Sequence, residues 1–131
     1  MVGLAGVALI HLLDLPGKFG ETPYLGWMYI GLILGCIAVG GALIHSGSRT
    51  AWSACAALTL SVLAGFVLSR TTGLPSATDD IGNWGEPLGM ASMFVEGALL
   101  VLASSVLAGV RAPVASRTKR ARVGRLSQQP M

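Results

Sequence analysis

Apolar residues run along this chain in four long blocks, without the alternation of a half-buried strand. The blocks cover about 1–13, 24–44, 51–68 and 88–110, and Gly, Pro, Ser and charged residues collect between them. A bilayer span needs ~20 apolar residues at ~1.5 Å rise each. The last three blocks meet that length. The first, MVGLAGVALIHLL, reaches only about 20 Å, and Pro16-Gly17 predicts a stop beyond it. The pattern therefore predicts an all-α integral membrane protein, a four-helix antiparallel transmembrane bundle over residues 1–110. Residues 111–131 read as a basic disordered tail, rich in Arg with Pro, Ser and Gln.

The short first block reads as a real span abbreviated at its N-terminus. No basic n-region precedes it, and GKFGETP is not a small-residue cleavage site, so it does not read as a secretory signal.

Composition supports the membrane class. The 131 residues are 53% hydrophobic and 11% charged, and the mean hydropathy is +0.68. Soluble domains carry about 25% charged residues. Cys36 and Cys55 fall inside apolar blocks and match no zinc or redox spacing. They read as small buried residues.

Charge predicts orientation. The tail holds Arg111, Arg117, Lys119, Arg120, Arg122 and Arg125, and the segment HSGSRT holds Arg49, with no acid in either. The other two connecting segments hold Asp14, Glu21, Asp79, Asp80 and Glu86 against Lys18 and Arg70. The positive-inside rule then puts both termini in the cytoplasm and the acidic loops outside. Tyr24, Trp27, Trp52 and Trp84 all fall near block ends, where amphipathic rings favour the interface. A bacterial plasma (inner) membrane is the expected location, and the bilayer itself the first partner. The tail suits anionic headgroups. A nucleic-acid role is not expected, because topology already explains the basic charge.

Gly31 and Gly35 form a GxxxG pair, which predicts close helix packing within the bundle or in a homo-oligomer.

Polar chemistry gathers at the predicted outer face. His11 and Asp14 share a helix face at i,i+3. Arg70, at an outer helix end, runs against the charge bias and predicts a carboxylate partner among Glu86, Glu96 and Asp14. Asp79 and Asp80 suit a helical cap of a short turn through Trp84. Glu86-Pro87 suits the opening of the fourth helix. Glu96 lies about 15 Å into that helix, where an acid costs ~2.5–3.5 kcal/mol and faces the bundle interior.

Glu96 has three readings. It locks the bundle, either protonated or paired with Arg70 or His11. It belongs to a stripe 86, 90, 93, 96 in which Met90, Met93 and His11 hold a metal such as copper, because thioethers suit Cu(I). Or it handles protons or a ligand opening to the outer face. No nucleophile–base constellation, phosphate loop or nucleotide fingerprint occurs, so the chain leans away from an enzyme.

HLLDLPGKFGETPYLG and LSRTTGLPSATDDIGNWGEPLGMASMFVEG resemble the motifs of a family of small uncharacterised four-helix bacterial inner-membrane proteins. The two stretches cover about a third of the chain. The resemblance implies a compact four-span protein with its distinctive residues in the outer loops and the Glu96 helix. It also implies a fuller first helix, as if the start were late, and brings no activity or cofactor.

The expectation is a binding or accessory protein. Its acidic outer cap of His11, Asp14, Glu21, Arg70, Asp79, Asp80, Glu86 and Glu96 recognises a partner membrane protein, a cation or a cofactor. The alternative is a proton- or solute-linked transport component centred on Glu96 in an oligomer.

Overall fold

The computed structural model describes residues 1–109, so the expected disordered tail, 111–131, lies outside the described residues. Four helices fill the described chain: α1 Val2–Glu21, α2 Pro23–His45, α3 Arg49–Thr71 and α4 Pro87–Gly109. Each is long and apolar enough to cross a membrane. They form an up-down-up-down ring in which α1 packs on α2 and α4, and α3 on α4 and α2. The α2–α3 seam is the loosest of the four.

The first helix corrects the expectation of a short span. It runs on through Pro16 to Glu21, 20 residues in all, or about 30 Å. A proline inside a helix removes one N–H bond and strains the preceding turn, yet the helix resumes. Beyond it, Lys18 pairs with Glu21 at i,i+3, and the Thr22 N–H donates to the Lys18 carbonyl. Tertiary packing holds this last turn. The Phe19 ring lies on the backbone of Gly26, so close that a Cβ there would sit 2.7 Å from it. Phe19 also meets Trp27 edge-on at 5.7 Å. The expected ten-residue loop thus shrinks to Thr22, with Pro23 opening α2.

Residues 46–48 join α2 to α3. Ser48 caps α3 by accepting the Ala51 N–H at 3.2 Å. At the other end of α3, Gly73 takes φ 76° and donates to the Leu68 carbonyl, stopping the helix in a left-handed turn.

The buried faces are narrow and built from small or polar residues. On α4 they are Gly89, Ser92, Glu96, Leu99 and Ala103; on α3, Ala51, Cys55, Thr59 and Arg70. Large apolar side chains such as Leu34, Ile37, Leu60, Phe94 and Val101 point outward. That inversion suits helices whose surroundings are as apolar as their side chains, where small residues bring backbones together. The dry core is Leu4, Val7, Cys36, Cys55, Leu99 and Ala103. It lies in the half of the bundle nearer Met1 and Gly109.

Candidate functional site

The other half, beneath residues 72–86, is hollow. A cavity of about 560 Å³ lies between the four helices there. Its walls are largely apolar, with Leu25, Met28 and Leu32 from α2 and Leu58, Val62 and Phe66 from α3. Its polar end is made by Asp14, Lys18, Glu21, Arg70, Asp80 and Glu86.

Glycine opens its side. Gly31 on α2 and Gly65 on α3 both line it, and a Cβ on either would meet no atom within 4 Å. One turn deeper, a Cβ on Gly35 would meet Leu58 at 3.3 Å. The two helices therefore touch at Gly35 and splay above it. Met28 and Ser61 line the cavity while exposed to the surroundings, which puts a mouth on this seam. Of the GxxxG pair, Gly35 packs against α3 within the chain, whereas Gly31 borders the opening.

Arg70 organises the polar end. It is 6% exposed, with Nη1 2.6 Å from Asp80 Oδ1 and Nη2 3.2 Å from Glu86 Oε2. Its guanidinium lies 5.0 Å over the Phe66 ring, a cation–π contact. Lys18 reaches across from α1 to Asp80 at 3.2 Å and to Glu21 at 3.1 Å. Asp80 thus bridges α1 to α3. Burial pushes its carboxyl up, but the hydrogen bond and charge of Lys18, with Arg70, hold it below the usual carboxylate range. Glu86 also caps α4, accepting the Leu88 and Gly89 N–H groups at 3.1 and 2.8 Å. Gly89 is needed there, because a Cβ would stand 2.6 Å from Phe66 and 2.8 Å from Glu86.

The long loop is tied down over this network. The Gly82 N–H donates to the Arg70 carbonyl. The Tyr24 hydroxyl donates to the Pro75 carbonyl at 2.7 Å, and Thr22 to that of Ser76 at 3.4 Å. Trp84 stands edge-on to Phe66 at 6.0 Å. Residues 79–85 form turns, not a short helix, so Asp79 and Asp80 are not helix caps. Asp79 is exposed and outside the ion network. Within the cap, most carboxylates hold an internal cation or N–H.

Deeper in the cavity, the Tyr29 hydroxyl donates to Asp14 at 3.2 Å. His11 is buried, donates from Nδ1 to the Val7 carbonyl at 2.9 Å, and meets Tyr29 edge-on at 4.7 Å. Ser92 lines the cavity. It donates to Glu96 Oε1 at 2.6 Å, while Oε2 has no partner among the described residues. Glu96 is 0% exposed and one helical turn below Ser92. Neither Arg70 nor His11 pairs with it: Arg70 serves Asp80 and Glu86, and His11 serves Val7.

The Met stripe is corrected as well. Met90 and Met93 are 52% and 40% exposed. At about 100° per residue, Met90 stands ~120° around α4 from Glu96. The inward stripe is 89, 92, 96, 99, 103. Met90 and Met93 do not line the cavity that His11 lines, so the three share no copper site. Among the described residues no cluster of three His, Cys, Asp or Glu is arranged to hold a metal ion.

Sequence reasoning missed Lys18, Tyr29 and Ser92 as parts of the site. Lys18 carried a signal, a lone base between acids in a segment otherwise read as loop. Comparison with protein-family models, curated proteins and solved structures finds no match to this chain.

Proposed function

We propose that this is a multi-pass protein of the bacterial plasma membrane, with both termini cytoplasmic and the 72–86 loop outside, that binds a small molecule in the hollow half of its bundle. The carrying observation is the cavity itself: about 560 Å³, apolar on its walls and charged at one end. Ligand sites have this size and composition, with a few convergent polar groups among apolar ones. The ion network favours a ligand over a docked protein, because Lys18, Arg70, Asp80 and Glu86 are directed at one another beneath the loop. Charge bias of the connecting segments supports the orientation.

Native mass spectrometry after gentle solubilisation tests the reading. It predicts a stoichiometric adduct on the wild-type protein that is lost in Gly65→Leu, whose side chain would enter the open seam. A bare wild-type protein under conditions that keep it folded overturns it.

A proton-linked role is the second reading, favoured by one observation. Ser92 joins the cavity to Glu96, whose Oε2 has no partner among the described residues. Intramembrane acids of this kind mark proton and solute paths. Glu96→Gln in reconstituted vesicles would abolish a proton-coupled flux; an unchanged flux removes this role.

A further inference from the structure

The polar groups around the cavity constrain its occupant, and this inference rests on the ligand-binding reading above. Arg70 is more than nine-tenths buried and lines the cavity. Its Nε has no hydrogen-bond partner among the described residues, and its Nη1 touches Asp80 without hydrogen-bond alignment. Buried donors of this kind are nearly always satisfied. That N–H belongs to a residue that lines the cavity, and it would gain from an acceptor oxygen. The same wall carries Asp14, Glu21, Asp80 and Glu86 against Lys18 and Arg70. An anionic head would meet that excess of carboxylate, at a cost that grows in a low dielectric. A cationic head would find most carboxylates engaged: Asp80 by two cations, Glu86 by Arg70 and two N–H groups, Glu21 by Lys18.

We infer that the cavity takes a neutral amphiphile whose head carries a carbonyl oxygen that accepts a hydrogen bond from Arg70, and whose apolar tail leaves through the α2–α3 seam past Gly31 and Gly65. The seam fits a tail because it is open at two glycines and bordered by the outward-facing Met28. A ligand with this chemistry is a membrane solute, so it reaches the site from within the bilayer. Two sources share the head chemistry, a prenylated benzoquinone and a diacylglycerol. The aromatic groups His11, Tyr29 and Phe66 around the polar half give a planar head more contact than a branched ester.

The test is a displacement series on the full-length protein in detergent, read by native mass spectrometry at equal ligand mole fraction. The probes are a short-tailed prenyl benzoquinone, dioleoylglycerol, phosphatidylglycerol and an alkyltrimethylammonium salt. The expected result is a one-to-one adduct with the neutral carbonyl probes, at least ten-fold preferred over both charged ones. Binding of only one neutral probe also supports the inference and identifies the source. Preference for the phospholipid or the ammonium salt overturns the ligand class and leaves the cavity reading standing. Failure of all four probes, on a protein that also carries no adduct of its own, overturns both.

Arg70→Lys keeps the charge and removes Nε. It should weaken the neutral adduct at least ten-fold while thermal unfolding stays cooperative. Equal binding in Arg70→Lys overturns the role of Arg70. If that variant does not fold, the probe series on the wild type decides alone.

Discussion

The two halves of this bundle solve the same problem in opposite ways. Near Met1 and Gly109, Leu4, Val7, Cys36, Cys55, Leu99 and Ala103 close into a dry core, with Cys55 and Ala103 at 0% exposure. Small residues let the helices meet, and packing holds them. Beneath the long loop α2 and α3 splay, and the ion network of Lys18, Arg70, Asp80 and Glu86 ties α1, α3 and the loop together at the rim of the cavity. A half held by charge at its rim can remain hollow in the middle. A half held by close packing cannot, because interiors tolerate few voids. The position of the void therefore reflects which force joins the helices, and function follows the void.

Substitutions can break this contrast, and the largest effect belongs to the rim. Arg70→Met removes the guanidinium between Asp80 and Glu86, leaving Asp80 with Lys18 alone and Glu86 with its two N–H groups. Breaking a buried pair costs ~3–5 kcal/mol, and partial exposure of both acids places this case near the lower end, about 3 kcal/mol. Thermal unfolding in detergent should show it as a large fall in Tm.

Gly89→Ala comes next. Its Cβ would strike Phe66 and Glu86 together, and overpacking costs ~1–3 kcal/mol. The same unfolding assay reads it, and Glu86→Gln should not be additive with it, because both disturb one contact.

The halves should part most clearly when the same residue is added to each. Ala103→Leu enters the dry core and should destabilise by ~1–3 kcal/mol. Gly65→Leu enters open space and should change the stability of the ligand-free protein by less than ~0.5 kcal/mol, as substitutions that meet nothing do. Equal costs would mean that the two halves are packed alike.

The smallest effect is a pH dependence. Asp80 is held below the ordinary carboxylate range by Lys18 and Arg70. An acid with a lowered folded-state pKa stabilises the fold above its unfolded value, about 3.9. That contribution fades as pH falls from there through the lowered value. Asp80→Asn should flatten this acid limb of the stability curve and leave the neutral-pH slope alone.

How much of this could be read from sequence depended on whether a feature was local. The spans of α2, α3 and α4 were legible because hydropathy alone makes them. The true end of α1 was not, because Pro16, Gly17 and two charges look like a stop. What carries the helix past them is Phe19 on Gly26, a contact between helices. Arg70 announced a partner through its place against the charge bias, and Glu86 is that partner in part. Asp80 was read as a cap because its second role depends on Lys18, 62 residues away. The Met90–Met93 stripe failed on helical geometry, because steps that begin at Glu86 drift off the face that Glu96 occupies. The cavity left the faintest trace of all. Gly31 and Gly65 look in sequence like any packing glycines, and only the splay of α2 from α3 makes them the edges of an opening.

The central claim is that one half is hollow and polar-ended while the other is solid. Cysteine reactivity separates them in a single experiment, because the solid half already contains Cys36 and Cys55, both buried and free. Gly65→Cys would add a thiol to the cavity wall, and N-ethylmaleimide labelling in membranes would be followed site by site by peptide mass spectrometry. The account predicts labelling at position 65 in protein freed of its amphiphile, slowed when the amphiphile is added back, and none at Cys36 or Cys55. Labelling of all three at one rate, or of none, would contradict it.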